Sequence, residues 1–135
     1  MKVVKKLLAP VLVVGLLLTS LVTLHNLKDT KKDNVFRIGI SQYITHKSLD
    51  ATRKGFIEEL KKEGYVDGKN IQIDFQNAQG EQRNLKNISK QLAEESDLVF
   101  AIATPSAQSL ANTTKSTPIV FSAVTDPLAA KLVKN

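Results

Sequence analysis

The sequence predicts a three-layer α/β protein, a parallel sheet carrying helices on both faces. From Val35 onward, short runs rich in β-branched and apolar residues alternate with longer segments whose apolar residues recur at helical spacing. The connections are short and punctuated by Gly, Pro or Asp-Gly. Leu98–Ala103 is apolar throughout, the pattern of a strand buried on both faces of a parallel sheet. Strands alternating with helices pair in parallel, and their crossovers are right-handed.

Val35–Ile40 reads as the first strand. Ser48–Glu63 follows as a helix, with Leu49, Phe56 and Leu60 on one face and Arg53 beside them. Gly64 stands where a left-handed C-terminal cap belongs. Asp67-Gly68 marks a turn, and Ile71–Phe75 then alternates apolar and polar, as in an edge strand covered mainly on one face. Gly80 breaks the chain, and Leu85, Ile88 and Leu92 mark a second helix over Glu81–Glu95. After the buried strand, Thr104-Pro105 opens a third helix that runs to Thr113. Pro118–Val124 is a fourth strand, and Asp126-Pro127 opens a last helix, Leu128–Lys134.

The segment before this body is different. Leu7–Leu24 is uncharged and strongly apolar, with Lys2, Lys5 and Lys6 before it and Lys28, Lys31 and Lys32 after it. A spanning helix needs about 17–25 apolar residues, and this run sits at the lower limit. A cleaved signal peptide has an apolar stretch of roughly 7–15 residues and a small-residue cleavage site, and no A-x-A pattern follows here. Residues 1–25 therefore read as a signal anchor or transmembrane helix, with cleavage as the alternative, and residues 26–34 as a juxtamembrane linker. The expected location is the cell membrane, with a single-pass N-terminal anchor and an extracytoplasmic body, residues 35–135.

Composition excludes several function classes. The 135 residues allow one domain of ordinary size. There is no Cys, hence no disulfide framework, no Cys-based metal or redox site, and no lipid-attachment Cys. His25 and His46 are too far apart to make a metal site alone. The formal charge of +6 belongs mostly to the membrane-flanking lysines. In the body, cations alternate with acids, as in Glu58-Glu59-Leu60-Lys61-Lys62-Glu63, so no nucleic-acid partner is expected. No Walker pattern, G-x-G-x-x-G or G-x-S-x-G occurs, and no acid–base pair is placed for catalysis. Neither an enzyme nor a cofactor is expected.

In an open parallel sheet, ligands sit beyond the carboxyl ends of the strands. Three polar loops leave those ends, Ser41–Lys47, Thr104–Gln108 and Ser122–Asp126, and Asn77–Glu81 is a fourth, on a strand that reads as an edge. Thr104 suits an N-cap and Pro105 the first helical position, which leaves the amides of Ser106 and Ala107 and two hydroxyls at the positive end of a helix dipole. That arrangement accepts a carboxylate or phosphate, or is a plain cap that binds nothing. Asp126 either caps the last helix or meets a ligand ammonium, and its two oxygens permit both. In the first loop, Gln42, Tyr43 and His46 are candidates for ligand contact. Tyr43 either stacks on a ligand or packs on the protein, and His46 either caps, binds, or pairs with Asp50 at i,i+4.

Several segments match one family in order and spacing: HKSLDATRKGF (His46–Phe56), GYVDGKN (Gly64–Asn70), QNAQG (Gln76–Gly80), ATPSAQ (Ala103–Gln108) and VFSAVTDP (Val120–Pro127). On these residues the body resembles the substrate-binding proteins of ABC transporters, a family that includes binders of tryptophan and other aromatic amino acids. The resemblance implies a type I periplasmic-binding-protein fold, in which two α/β lobes close over a ligand. Family members are longer, so it also implies an N-terminal fragment, an incomplete first lobe, tethered by a helix rather than a lipid. Such a fragment is expected to expose apolar surface and to self-associate. The implied function is extracytoplasmic capture of a small organic solute, an amino acid and aromatic ones included, for an ABC importer whose permease is the membrane partner. The resemblance carries three sets of residues into the cleft: Gln42, Tyr43 and His46; Thr104, Ser106 and Ala107; and Ala123, Thr125 and Asp126. A ligand-sensor module and an α/β enzyme acting on a phosphorylated small molecule remain the alternatives.

Overall fold

The structure, a computed structural model, describes residues 35–134. The expected anchor and linker, residues 1–34, lie outside the described residues. Among the described residues no helix is long and apolar enough to cross a membrane.

Strands β1 (Phe36–Gln42), β2 (Ile71–Asn77), β3 (Leu98–Ile102) and β4 (Ile119–Ser122) alternate with helices α1 (Lys47–Lys62), α2 (Gln82–Glu95) and α3 (Thr104–Thr113). The four strands form one parallel sheet in the order β2-β1-β3-β4. β2 is an edge, as its alternating pattern predicts.

Side chains alternate across the pleat, so each strand feeds two cores. On one face Ile38, Ile40, Ile71, Phe100 and Ile102 meet Leu49, Phe56, Ile57 and Leu60 of α1. The rings of Phe56 and Phe100 stack there with centroids 4.1 Å apart. On the other face Val99 and Ala101 meet Leu85, Ile88 and Leu92 of α2 and Ala107 and Leu110 of α3. Gly39 lets α2 approach β1 closely: a Cβ built there would lie 2.7 Å from Ser96 Oγ and 3.1 Å from Leu92 Cδ2.

The two outer layers differ in completeness. The buried residues of α2 and α3 have no counterpart on α1, where none is fully buried. Beside α1 lies an open apolar groove of about 420 Å³, lined by Phe36, Phe56, Leu60, Tyr65, Leu98 and Val120 among others. Val120 remains 46% exposed on it. Parallel sheets normally bury both faces, and here the α1 side of β4 is left open.

Two chain reversals use the same capping geometry with different residues. After α1, Gly64 N–H donates to the Lys61 carbonyl (3.1 Å) and Tyr65 N–H to Leu60 (2.8 Å), with Gly64 at φ +90°. The expected last helix, Leu128–Lys134, is instead a single helical turn closed the same way. Lys131 N–H donates to the Leu128 carbonyl (2.9 Å) and Leu132 N–H to Pro127 (2.9 Å), with Lys131 at φ 57°. The left-handed residue ends the helix before it can propagate.

Candidate functional site

The carboxyl ends of the strands carry the loops from which a site would be built. The first two are fastened to each other. Gly80 N–H donates to the Tyr43 carbonyl (2.8 Å), and the Tyr43 hydroxyl donates back to the Gly80 carbonyl (2.8 Å). Ala78 N–H donates to the Gln42 carbonyl (2.9 Å), and Asn77 Nδ2 to Thr45 Oγ1 (3.1 Å). A Cβ at Gly80 would sit 3.4 Å from Ile44 Cδ1, so the two loops are also in van der Waals contact. Tyr43 packs against the core with its hydroxyl spoken for, the packing alternative rather than the stacking one.

Gln42, expected at a ligand, is 0% exposed. Its position follows from the pleat: it shares the α1 face with Ile38 and Ile40. Nε2 donates to the Ile44 carbonyl (2.9 Å) and to Asp50 Oδ1 (2.8 Å), and Oε1 accepts from Arg53 Nε (3.3 Å). A buried amide needs such partners, and these hold Gln42 inward, against the start of α1. Asp50 therefore bonds through its side chain to Gln42, and its link to His46 is only the backbone bond from Asp50 N–H to the His46 carbonyl (2.9 Å). His46 caps α1: its Nδ1 accepts from Ser48 N–H (3.3 Å) and lies 2.8 Å from Ser48 Oγ. On the first loop Ile44, Thr45 and His46 face solvent.

The start of α3 differs from expectation by one residue. The N-cap is Ala103, which makes no side-chain capping bond, and Thr104 is already helical. Ala107 N–H consequently donates to the Ala103 carbonyl (3.1 Å), so this amide is not free for a ligand, and Ala107 is fully buried. The amides left open are Thr104 and Ser106, since Pro105 has none; among the described residues neither has an acceptor. The Ser106 hydroxyl is buried and, like that of Ser41, has no partner among the described residues. Ala103 adopts φ 82°, ψ 155°, a region populated essentially by glycine. Ala123, after β4, is also left-handed, at φ 57°.

The third and fourth loops are neighbours because β3 and β4 pair. Thr125 N–H donates to Thr104 Oγ1 (3.4 Å), and Ala103 N–H to the Ser122 carbonyl (3.0 Å). Asp126 Oδ1 accepts from Leu128 N–H (3.1 Å) and Ala129 N–H (2.9 Å), which leaves Oδ2 uncommitted among the described residues. Ala123, Thr125 and Asp126 are exposed. The edge thus brings together N–H donors at a helix N-terminus and a carboxylate oxygen on the adjoining loop, complementary to a group carrying both charges. Two contributors were missed from sequence. Nothing local marks Ala103 as left-handed, whereas Gly80 was visible as a break but not as the partner of Tyr43. Among the described residues no cluster of His, Cys, Asp or Glu could hold a metal.

The sequence and fold of the described body recur in known proteins. Residues 37–135 match the family described as ABC transporter substrate binding protein. A tyrosine-binding protein of Clostridioides difficile (strain R20291) is 52% identical over 108 residues, 79% of this chain and 31% of the relative. The ligand-free, open structure of a substrate-binding protein with adhesive properties from Clostridium difficile superposes with a TM-score of 0.73 at 52% identity, over 75% of this chain and 35% of that one. A Streptococcus pneumoniae ABC domain in complex with L-Trp gives a TM-score of 0.71 at 45% identity, over 76% and 35% of the two chains. The chain thus spans about a third of the length of these relatives. Sequence and sheet agree along nearly the whole described body, and on that basis the chain belongs to the ABC transporter substrate-binding protein family.

Proposed function

We propose that this chain forms part of the solute-capturing component of an ABC importer and that its solute is an amino acid, with aromatic ones first in line. The observation that carries this reading is the pairing of opposite polarities at the carboxyl edge. The open N–H groups of Thr104 and Ser106 suit an α-carboxylate, and the exposed carboxylate of Asp126 suits an α-ammonium. The tyrosine-binding relative and the L-Trp complex support the ligand class. Ala123 and Thr125 are exposed on the same rim, and Ile44, Thr45 and His46 expose a mixed apolar and polar surface on the loop after β1. The rest of the cleft would come from a second lobe, the permease would be the membrane partner, and residues 1–25 would hold the body outside the cell membrane.

Calorimetric titration tests the reading. Tryptophan, tyrosine and phenylalanine are titrated into this chain and into the same chain completed with the downstream part of a relative. The completed protein is expected to bind an aromatic amino acid, and Asp126→Asn to weaken it at least tenfold, as loss of a charge-assisted contact does. If no amino acid binds while another class of solute raises the melting temperature, the ligand class is wrong. Protease digestion of intact cells tests the location: a body that survives digestion is not extracytoplasmic.

A further inference from the structure

We propose that Arg53 is a positioning residue for the loop between β1 and α1, acting through Gln42 on the rim that would meet the solute. Gln42 is fully buried, and its amide orientation has a single solution. Turned over, Oε1 would face the Ile44 carbonyl and Asp50 Oδ1, both acceptors, and Nε2 would face the Arg53 guanidinium, a donor. In the observed orientation all three contacts are satisfied, and the Ile44 carbonyl is pinned from behind the loop. Ile44 packs on Gly80, so the hold extends to the second loop.

Arg53 supplies what this arrangement lacks elsewhere. Its guanidinium carbon lies 4.0 Å from the centroid of the Phe75 ring, and Nη2 lies 3.7 Å from Asp50 Oδ1. The planar group stacks by its face on the edge strand while donating through Nε to Gln42. A lysine ammonium can sit near Asp50 but cannot stack flat and donate edgewise at once. The chain of contacts runs from Phe75 through Arg53 and Gln42 to Ile44.

Two amides read out the loop without any ligand. Ala78 N–H donates to the Gln42 carbonyl and Gly80 N–H to the Tyr43 carbonyl, so their exchange rates follow the position of the first loop. Asp97 N–H, bonded to the Arg37 carbonyl at the other end of β1, serves as the control. In the full chain, Arg53→Met is expected to speed hydrogen exchange at Ala78 and Gly80 on the order of tenfold, with Asp97 unchanged. Arg53→Lys keeps the charge but loses the planar donor, and is expected to exchange like Arg53→Met. Wild-type protection in the lysine variant, unchanged exchange in both variants, or equal acceleration at Asp97 overturns the proposal. A second arm rests on the function proposed above: in the completed protein, Arg53→Met should weaken amino-acid binding several-fold. Unchanged affinity beside loosened amides severs the loop from the ligand. If the unaltered completed protein binds no amino acid, the functional reading fails while the exchange data still decide the role of Arg53.

Discussion

Removing one methyl group from either of two alanines four residues apart should change stability in opposite directions. Ala103 holds φ 82°, ψ 155° at the end of β3, whereas Ala107 lies buried inside α3 with its N–H bonded to Ala103. A non-glycine residue in the conformation of Ala103 costs about 1–3 kcal/mol. Ala103→Gly relieves that cost, against roughly 0.5–1 kcal/mol of added chain entropy and at most about 0.8 kcal/mol for a half-buried methyl. Mid-range values leave a net stabilisation of about 1 kcal/mol. At Ala107 no strain offsets the losses. Glycine costs about 1 kcal/mol in a helix interior and the buried methyl about 0.8 kcal/mol, so Ala107→Gly should destabilise by roughly 2 kcal/mol. The two variants should differ by about 3 kcal/mol, or by about 12–24 °C in melting temperature for a body of this size. Denaturant titration and thermal melting, both followed by far-ultraviolet circular dichroism, measure the difference. Equal destabilisation by the two substitutions would show that Ala103 is not strained, and the energy attributed to the rim of the site would vanish.

Three further outcomes follow from the packing. Gly39→Ala places a Cβ 2.7 Å from Ser96 Oγ and should cost about 1–3 kcal/mol by denaturant titration, part of it recovered by adding Ser96→Ala; a neutral Gly39→Ala contradicts the close approach of α2. His46→Ala should lose about 1 kcal/mol through the cap on Ser48 N–H, while His46→Asp should stay within a few tenths of the parent in the same assay. Val120→Lys, on the open side of β4, should lower the sedimentation-velocity mass of the chain if that apolar face drives self-association; an unchanged mass moves the sticky surface elsewhere.

How much of this was legible depended on whether the signal was local. Leu85, Ile88 and Leu92 announce α2 by spacing alone, and the same residues are buried in the structure. The alternation of Ile71–Phe75 marks an edge because one face of an edge strand is thinly covered, and β2 is an edge. The reversal after α1 was readable because Gly64 adopts a left-handed conformation without penalty. The equivalent reversal at Lys131 was not, since nothing in lysine favours that geometry and tertiary context imposes it. The site was legible as a set of loops but not as a set of atoms. Asp126 was open to a capping role, and it caps. Gln42 and Tyr43 are candidates through the loop they occupy at the carboxyl end of a strand, and Ala107 through its amide at a helix N-terminus. The pleat of β1, the bond to Gly80 and the one-residue shift of the α3 cap turn all three toward the protein. Those facts reside in the pairing of segments distant along the chain.

The strand order bears on how the body assembles as it leaves the ribosome. β1 is synthesised first and ends up flanked on both sides, by β2 and by β3, with β4 added outside β3. Each new strand therefore docks on an edge that is already free, and none has to wedge between two that have paired. Growth outward from a first-made strand suits synthesis from the N-terminus, at about 5–20 residues per second. At every stage an unpaired edge is available where the next strand pairs, and the described sheet is left with two edges, β2 and β4.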